Sequence, residues 1–464
     1  MIRLLMEPPS RTSQIKRNIL MATIYEEAKT FEHITAALRP YPTKLFVETT
    51  TRCNLSCFMC VKQSDDRCID EGDISEDTFA RILPALHHAK ALILNGVGEP
   101  LLHPKLELFI SEAKKHMAPD GWIGFQSNGL LLDESRAFSL LEAGLDRICL
   151  SIDTINPEIF KKMRAGGELS SIEWALDHLD AVKTSLGKTN FRIGVEFVVM
   201  RSNLKELPAA IHWAASRGAS FALVTHVLPY SEEHTQEAAY SLCSDQSLKF
   251  YLNSKEQAER EGVDISRYPQ VIWKFNKSPE DRKIIQHVEK MKSDSEKSGV
   301  FLDLKKLYSL DLNWLEQVSA IFEEAGDIAS QHDLDLHLPA IALRDNRKCD
   351  FVEEGSVFVS WNGEVHPCYF LWHAYQCFAS GWRQQVQPIT FGNLSDTNIM
   401  DIWNSTNFSN FRKSVSTYDY PYCSGCGLAP CDYVQTEDFQ QDCHINEEPC
   451  GSCLWCMGIF QCLR

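Results

Sequence analysis

The chain has 464 residues, 44% hydrophobic and 23% charged, a balance that supports sizeable cores and excludes a wholly disordered polypeptide. At about 150 residues per domain there is room for about three domains. Its 46 Lys and Arg stand against 63 Asp and Glu, a net charge of −17, and such a surface repels phosphate backbones, which argues against general nucleic-acid binding.

Residues 1–40 carry a helical pattern from Ile15 to Leu38 that stops at Arg39-Pro40, a lead-in helix. They lack the long apolar stretch and small-residue cleavage site of a secretory signal. No apolar run reaches the roughly 18 residues of a membrane helix, so a cytoplasmic chain without a membrane partner is expected. Residues 41–230 alternate β-rich runs with amphipathic stretches. The predicted strands are Lys44–Glu48, Ala91–Asn95, Trp122–Gln126, Arg147–Ile152, Arg192–Val199 and Phe221–His226. The predicted helices between them are Ser75–His87, Leu106–Lys115, Asp133–Ala143, Ser171–Thr184 and Leu204–Ser216. Strand–helix units in succession predict a parallel sheet with right-handed crossovers. Six units are too few to close an eight-unit barrel, so the expected α/β fold is an open, partial (β/α)6 barrel of the TIM-like kind. Residues 231–345 are rich in Lys, Glu, Ser and Gln with few strand signals, a mostly helical insertion or bridge. Residues 346–464 form a cysteine-rich module opening on SVFVSWNGEVHPCYF, where Asn362-Gly363 between β-rich runs signals a hairpin.

The 17 cysteines are unevenly placed: eleven lie from Cys349 to Cys462 and three from Cys53 to Cys60. In a reducing compartment such density points to metal rather than disulfides. Cys53, Cys57 and Cys60 form C-x3-C-x2-C directly after the first predicted strand. Three thiolates from one loop suit three corners of a 4Fe–4S cube, leaving one iron open to a small molecule. Structural zinc needs a fourth ligand. Cys68 could supply it, so zinc stays open on ligand count.

This loop after a first strand resembles the signature of radical S-adenosylmethionine (SAM) enzymes. The resemblance implies that the open iron chelates the amino and carboxylate groups of SAM, and that an electron from the cluster cleaves SAM to methionine and a 5′-deoxyadenosyl radical, which takes hydrogen from a substrate. Further elements resemble the family in order along the chain. Asn95-Gly96-Val97-Gly98-Glu99-Pro100 is similar to its G-G-E-P motif, which implies that Gly98, Glu99 and Pro100 serve the methionine ammonium. Ser127-Asn128-Gly129 resembles its T-N-G turn. Ser151 and Asp153 match positions near the SAM ribose and carboxylate, and the fifth strand runs into Asn203. His226 follows the sixth strand, where a satisfied structural histidine is the plain reading. All lie at C-terminal strand ends, the face on which barrel folds build active sites.

In the last module, Cys349-x13-Gly363-x4-Cys368 resembles the opening of the SPASM domain, which carries auxiliary iron–sulfur clusters, and Trp403 and Phe411 read as its core aromatics. Cys423, Cys426, Cys431, Cys443, Cys450, Cys453 and Cys462 complete the candidate ligands, with Cys456 either ligating or packing. The Cys426–Cys431 gap departs from the family spacing, and Gln435 stands where a cysteine is expected, so assignment to one or two auxiliary 4Fe–4S clusters stays open. Zinc knuckles at Cys423/Cys426 and Cys450/Cys453 are the alternative. Cys68, Cys149, Cys243 and Cys377 read as small packing residues, and His366, His373 and His444 as hydrogen bonders. The ending DCHINEEPCGSCLWCMGIFQC resembles SPASM maturases associated with tungsten-cofactor oxidoreductases.

The resemblance implies a radical SAM oxidoreductase or maturase acting on a peptide, protein or cofactor precursor. A partner metalloenzyme and a ferredoxin or flavodoxin reductant come with it. The alternatives are a ribosomal-peptide-modifying or formylglycine-type enzyme, and a non-enzymatic iron–sulfur carrier. No catalytic side chain is singled out.

Overall fold

The computed structural model describes residues 36–64, 69–423 and 440–463. Most of the expected lead-in helix, together with Cys68, Cys426, Cys431 and Gln435, lies outside them.

All six predicted strands are present: β1 Lys44–Val47, β2 Ala91–Ile93, β3 Trp122–Ser127, β4 Arg147–Ser151, β5 Arg192–Val199 and β6 Phe221–His226. They pair in parallel and in chain order, in registers such as Lys44 on Ala91, Gly124 on Arg147 and Gly194 on Phe221. Their Val, Ile, Leu and Phe side chains are almost wholly buried, as expected of a parallel sheet covered by its crossover helices. Helix boundaries follow their end signals. Asp133 caps Glu134–Ala143 by accepting from the Arg136 N–H, and Gly144 ends it at φ 104°, a left-handed angle that glycine adopts without strain. The predicted Ser75–His87 helix is instead two short ones, Glu76–Ala80 and Leu83–Leu86. Pro84 lacks the N–H that a continuous helix would use.

The sheet extends past both ends of the expected barrel. Helix Leu312–Gln331 packs on helix Leu207–Ala215 and leads to β7, Asp335–His337, parallel to β6. The insertion therefore contributes a seventh strand–helix unit, which the sequence concealed because its strand is only three residues long and mostly exposed. On the other side β8, Ser356–Val359, pairs in parallel with β1. It turns at Asn362-Gly363, with Gly363 at φ 85°, into the antiparallel β9, Glu364–His366, as the hairpin signal implies, and β10, Gly392–Asn393, forms the edge. The cysteine-rich module thus begins as an integral part of the main sheet. The remaining insertion helices, including Asp245–Arg260 and Pro279–Lys297, surround a second small core of Leu248, Tyr251, Ile284, Val288 and Met291. Trp403 and Phe411 are buried as expected, and Arg412 stacks 3.6 Å over the Trp403 ring.

The C-terminal tail runs beside the segment that follows β7. Ala340 N–H donates to Gly458, Arg344 N–H to Met457 and Lys348 N–H to Cys456. Gln461 donates through its N–H to Thr225 Oγ1 and through Nε2 to Leu338 O. Among the described residues no helix is long and apolar enough to cross a membrane.

Candidate functional site

At the C-terminal ends of β1 to β5 lies a cavity of about 320 Å³. Of the sequence-predicted residues it brings together Cys53, Cys57, Cys60, Gly98, Glu99, Asn128 and Ser151. Ser56–Cys57 forms a short antiparallel ladder with Arg164–Ala165, which fixes the cysteine loop against the segment after β4. Burial raises Cys53 and Cys60, and raises Cys57 to about 11 against the opposing pull of Arg164. Metal ligation needs thiolates, and the loop has N–H donors for them, one of them cationic: Arg164 Nη1 stands 3.8 Å from Cys57 Sγ, and Asn128 Nδ2 4.0 Å from Cys53 Sγ. N–H groups directed at ligating sulfurs are the outer contacts that tune iron–sulfur centres.

The second motif is built as a cradle. A Cβ on Gly98 would fall 2.3 Å from Thr50 O and 2.5 Å from Arg52 O, so only glycine lets these loops close. Glu99 is buried beside it. Its Oε1 accepts from Leu101 N–H at 3.1 Å and Ser127 Oγ at 2.8 Å, and its Oε2 accepts from Asn128 N–H at 2.7 Å. Burial nonetheless raises its pKa from the ordinary carboxylate value. Pro100 starts the short 3-10 turn Pro100–Leu102 and shapes this loop without lining the cavity.

Two predicted residues lie behind the cavity wall. Asp153 is fully buried at φ 56°. Its Oδ2 receives Arg164 Nε at 2.7 Å and its Oδ1 receives Val198 N–H at 2.8 Å. Asn203 is spent on holding this arrangement: Nδ2 donates to Asp153 O and Val198 O at 2.9 Å, and Oδ1 accepts from Met200 N–H at 2.8 Å. Neither lines the cavity; both position Arg164, which does.

Three residues that sequence reasoning passed over belong to the site. Arg164 gave no signal, since its role depends on the pairing of its segment with Ser56–Cys57. Glu48 directly follows β1 and is fully buried. It accepts from Val97 N–H at 3.0 Å and pairs with His373 Nε2 at 3.1 Å, joining barrel to C-terminal module. Glu196, an isolated acid within RIGVEFVV, faces the cavity and accepts from Ser151 Oγ at 3.4 Å. Burial, then the charge of Asp153, pushes Glu196 up to about 7. Its folded pKa lies above its ordinary 4.5, so ionising it destabilises the fold increasingly as pH rises from about 4.5 to about 7. Glu196→Gln is therefore expected to raise the thermal unfolding midpoint at pH 8, with the gain shrinking towards pH 5.

His226 donates from Nε2 to Ala340 O at 3.0 Å, and burial lowers it to about 4. His366, also lowered to about 4 by burial, sits between Ile389 O and Ser360 Oγ. His444 is exposed.

In the C-terminal module Cys349, Cys368, Cys450, Cys453 and Cys456 lie close enough for a charge on one to act on others. Burial raises Cys349 and Cys450, and raises Cys368 to about 11. Cys456 is among these cysteines, its Sγ donating to Cys453 O at 3.3 Å. Cys423 approaches from the next loop, its Sγ 2.9 Å from where a Cβ on Gly451 would stand. Cys443 is exposed. Cys149, Cys243 and Cys377 are buried, as packing residues are. Cys462 lines the cavity with Tyr230, Tyr369, Trp372, Trp455 and Gln461, and its charge acts on the phenols of Tyr230 and Tyr369.

Residues 47–214 match the radical SAM superfamily, and residues 349–427 match SPASM, an iron–sulfur cluster-binding domain. The chain is a radical SAM protein with a SPASM domain. Such a protein takes a 4Fe–4S cluster and SAM, and its SPASM domain binds auxiliary iron–sulfur clusters. The tungsten-containing aldehyde ferredoxin oxidoreductase cofactor-modifying protein of Pyrococcus furiosus is 28% identical over 423 residues, 90% of this chain and 96% of that protein. A probable GTP 3′,8-cyclase of Methanococcus maripaludis is 32% identical over 180 residues, 38% of this chain and 57% of its own length. Among solved structures, Streptococcus suis SuiB bound to S-adenosylmethionine covers 88% of this chain and 84% of its own at 10% identity and a TM-score of 0.47.

Proposed function

We propose that this radical SAM protein holds its 4Fe–4S cluster on Cys53, Cys57 and Cys60, binds SAM in the adjoining cavity, and takes hydrogen from a cofactor precursor, peptide or protein in maturing a metalloenzyme. The observation that carries the chemistry is one cavity lined by all three thiols and by the Gly98, Glu99, Ser127, Asn128 and Ser151 wall. When bound, the cluster and SAM supply a one-electron cleavage that yields a carbon-centred radical.

The chain's own residues do the rest. Arg164 brings a positive charge to Cys57 and the cavity. Glu99, fixed by three N–H and O–H donors, offers a negative wall suited to an ammonium group. Ser151 and Glu196 offer hydrogen-bonding groups deeper on the same face. The aromatic side, Tyr230, Tyr369, Trp372 and Trp455, limits water. A carrier of iron–sulfur clusters has no use for the Glu99 cradle or the Ser151–Glu196 pair. Maturation of a metalloenzyme is favoured among substrates because the cofactor-modifying relative aligns over nine-tenths of this chain.

The test is anaerobic incubation of the iron-loaded protein with reductant and SAM. Accumulation of 5′-deoxyadenosine and methionine is expected. A protein that retains its iron and forms neither would be a carrier.

A further inference from the structure

A second cavity, of about 550 Å³, lies beside the C-terminal ends of β5 and β6 and shares no lining residue with the reaction cavity. Arg201 follows β5 and Pro229 follows β6, Leu242, Lys306 and Asp311 reach it from the insertion, and Phe378 comes from the C-terminal module. Its walls are tied to one another and to the sheet. Phe378 N–H donates to Pro229 O at 2.8 Å, Tyr240 Oη to Ala379 O at 3.2 Å and Ser241 N–H to Ile341 O at 2.8 Å. A cavity of several hundred cubic ångströms between fixed walls has the form of a small-molecule site.

Its charge runs against that of the chain. The whole protein carries −17, whereas the charged side chains of this lining are two cations, Arg201 and Lys306, and one carboxylate, Asp311. Asp311 is engaged in capping the helix Leu312–Gln331, where its Oδ1 accepts from Trp314 N–H at 3.0 Å. The neighbouring Glu237 does not line the cavity, and its Oε2 accepts from Ser202 N–H at 3.0 Å. Arg201 is fixed at one edge and one face: Nε donates to Ala238 O at 3.2 Å, and the guanidinium lies 4.4 Å over the Trp314 ring. This leaves the Nη1–Nη2 edge, the fork that grips a carboxylate or phosphate through two parallel hydrogen bonds. A guanidinium already held loses little freedom when it binds. Leu242 and Phe378 give the same cavity an apolar wall.

We infer that this second cavity binds a small molecule in which an anionic group, carboxylate or phosphate, is joined to an apolar body. Arg201 grips the anion, and Leu242 and Phe378 pack on the body. The segment after β6 separates this ligand from the reaction cavity, since Pro229 lines one cavity and the adjacent Tyr230 the other. The occupant is therefore a ligand distinct from SAM, held next to the aromatic side of the reaction cavity.

Isothermal titration of the anaerobic, iron-loaded protein with phenyl phosphate, benzoate and benzyl alcohol tests the site. At least one of the two anions is expected to bind and the neutral alcohol is not, and the tighter anion identifies the group as phosphate or carboxylate. Arg201→Gln is expected to weaken the anion about tenfold or more, the loss of a charge-assisted hydrogen bond. Gln236→Glu places a carboxylate on the cavity lining at nearly constant shape, so it keeps the fold, and it is expected to weaken the anion several-fold. SAM binding by equilibrium dialysis is expected to be the same in both variants as in the parent. Binding of neither anion, equal binding of benzyl alcohol, or anion binding that Arg201→Gln and Gln236→Glu leave unchanged overturns the proposal. A change in SAM binding in both variants overturns the separateness of the site. The titrations need no SAM, so the site stands or falls independently of the function proposed above.

Discussion

Replacing Cys53, Cys57 and Cys60 together with Ala is expected to abolish 5′-deoxyadenosine formation and to lower bound iron by about four atoms per chain, the content of one cube. The three thiols are only half-buried, and most of the hydrogen bonds that hold the loop are not theirs. Those run through backbone and neighbours: Phe58 N–H to Met163 O, Lys62 Nζ to Thr51 O, and Asn128 Nδ2 to Asn54 Oδ1. Circular dichroism should therefore be unchanged, and the iron held by the C-terminal module should remain. Iron and sulfide analysis on anaerobically purified protein checks the first point, and chromatography of the SAM reaction checks the second. Cleavage that persists in the triple variant would move the reactive centre elsewhere. Loss of all iron would mean that the loop is needed for the whole molecule to assemble its metal.

What the sequence made legible was whatever is local. Strand β5 and strand β6 coincide with their predicted limits because a continuous apolar run bounded by polar turns is a short-range signal. The cysteine triplet and the Gly98-Glu99 loop were legible for the same reason, since spacing along one loop fixes which groups share a site. Residues that work through distant pairing stayed hidden. Arg164 matters because its segment pairs with Ser56–Cys57 more than a hundred positions earlier. Glu48 matters because His373 reaches it from 325 residues away. Asn203 and Asp153 were placed near the ligand by position, and in the structure they hydrogen-bond to each other behind the cavity wall, where Asp153 also pairs with Arg164. Glu196 was available to a closer reading, because a lone carboxylate inside an apolar strand has to be accounted for.

The buried pair behind the cavity should dominate the stability of the site. Asp153 is wholly buried and Arg164 nearly so, with side-chain exposures of 0% and 8%. Removing one member of such a pair leaves an uncompensated charge, at a cost of about 3–5 kcal/mol. Asp153→Asn isolates this term, since Asn tolerates the φ of 56° and can still accept from Val198 N–H. Asp153→Ala adds the strain of a left-handed backbone, about 1–2 kcal/mol. Both are to be compared with the parent by denaturant unfolding. The pH dependence makes the prediction sharper. The charge of Asp153 helps to raise Glu196 to about 7, while Arg164 lowers it. Without that charge Glu196 becomes the carboxylate nearest in effect to Arg164, its pKa falls, and its ionised form partly replaces the lost partner. Asp153→Asn is therefore expected to cost more at pH 5 than at pH 8, and combining it with Glu196→Gln should erase that difference. A cost independent of pH would show that Glu196 and Arg164 are not coupled. No loss of stability at all would remove the pair from the account of how the cysteine loop is held.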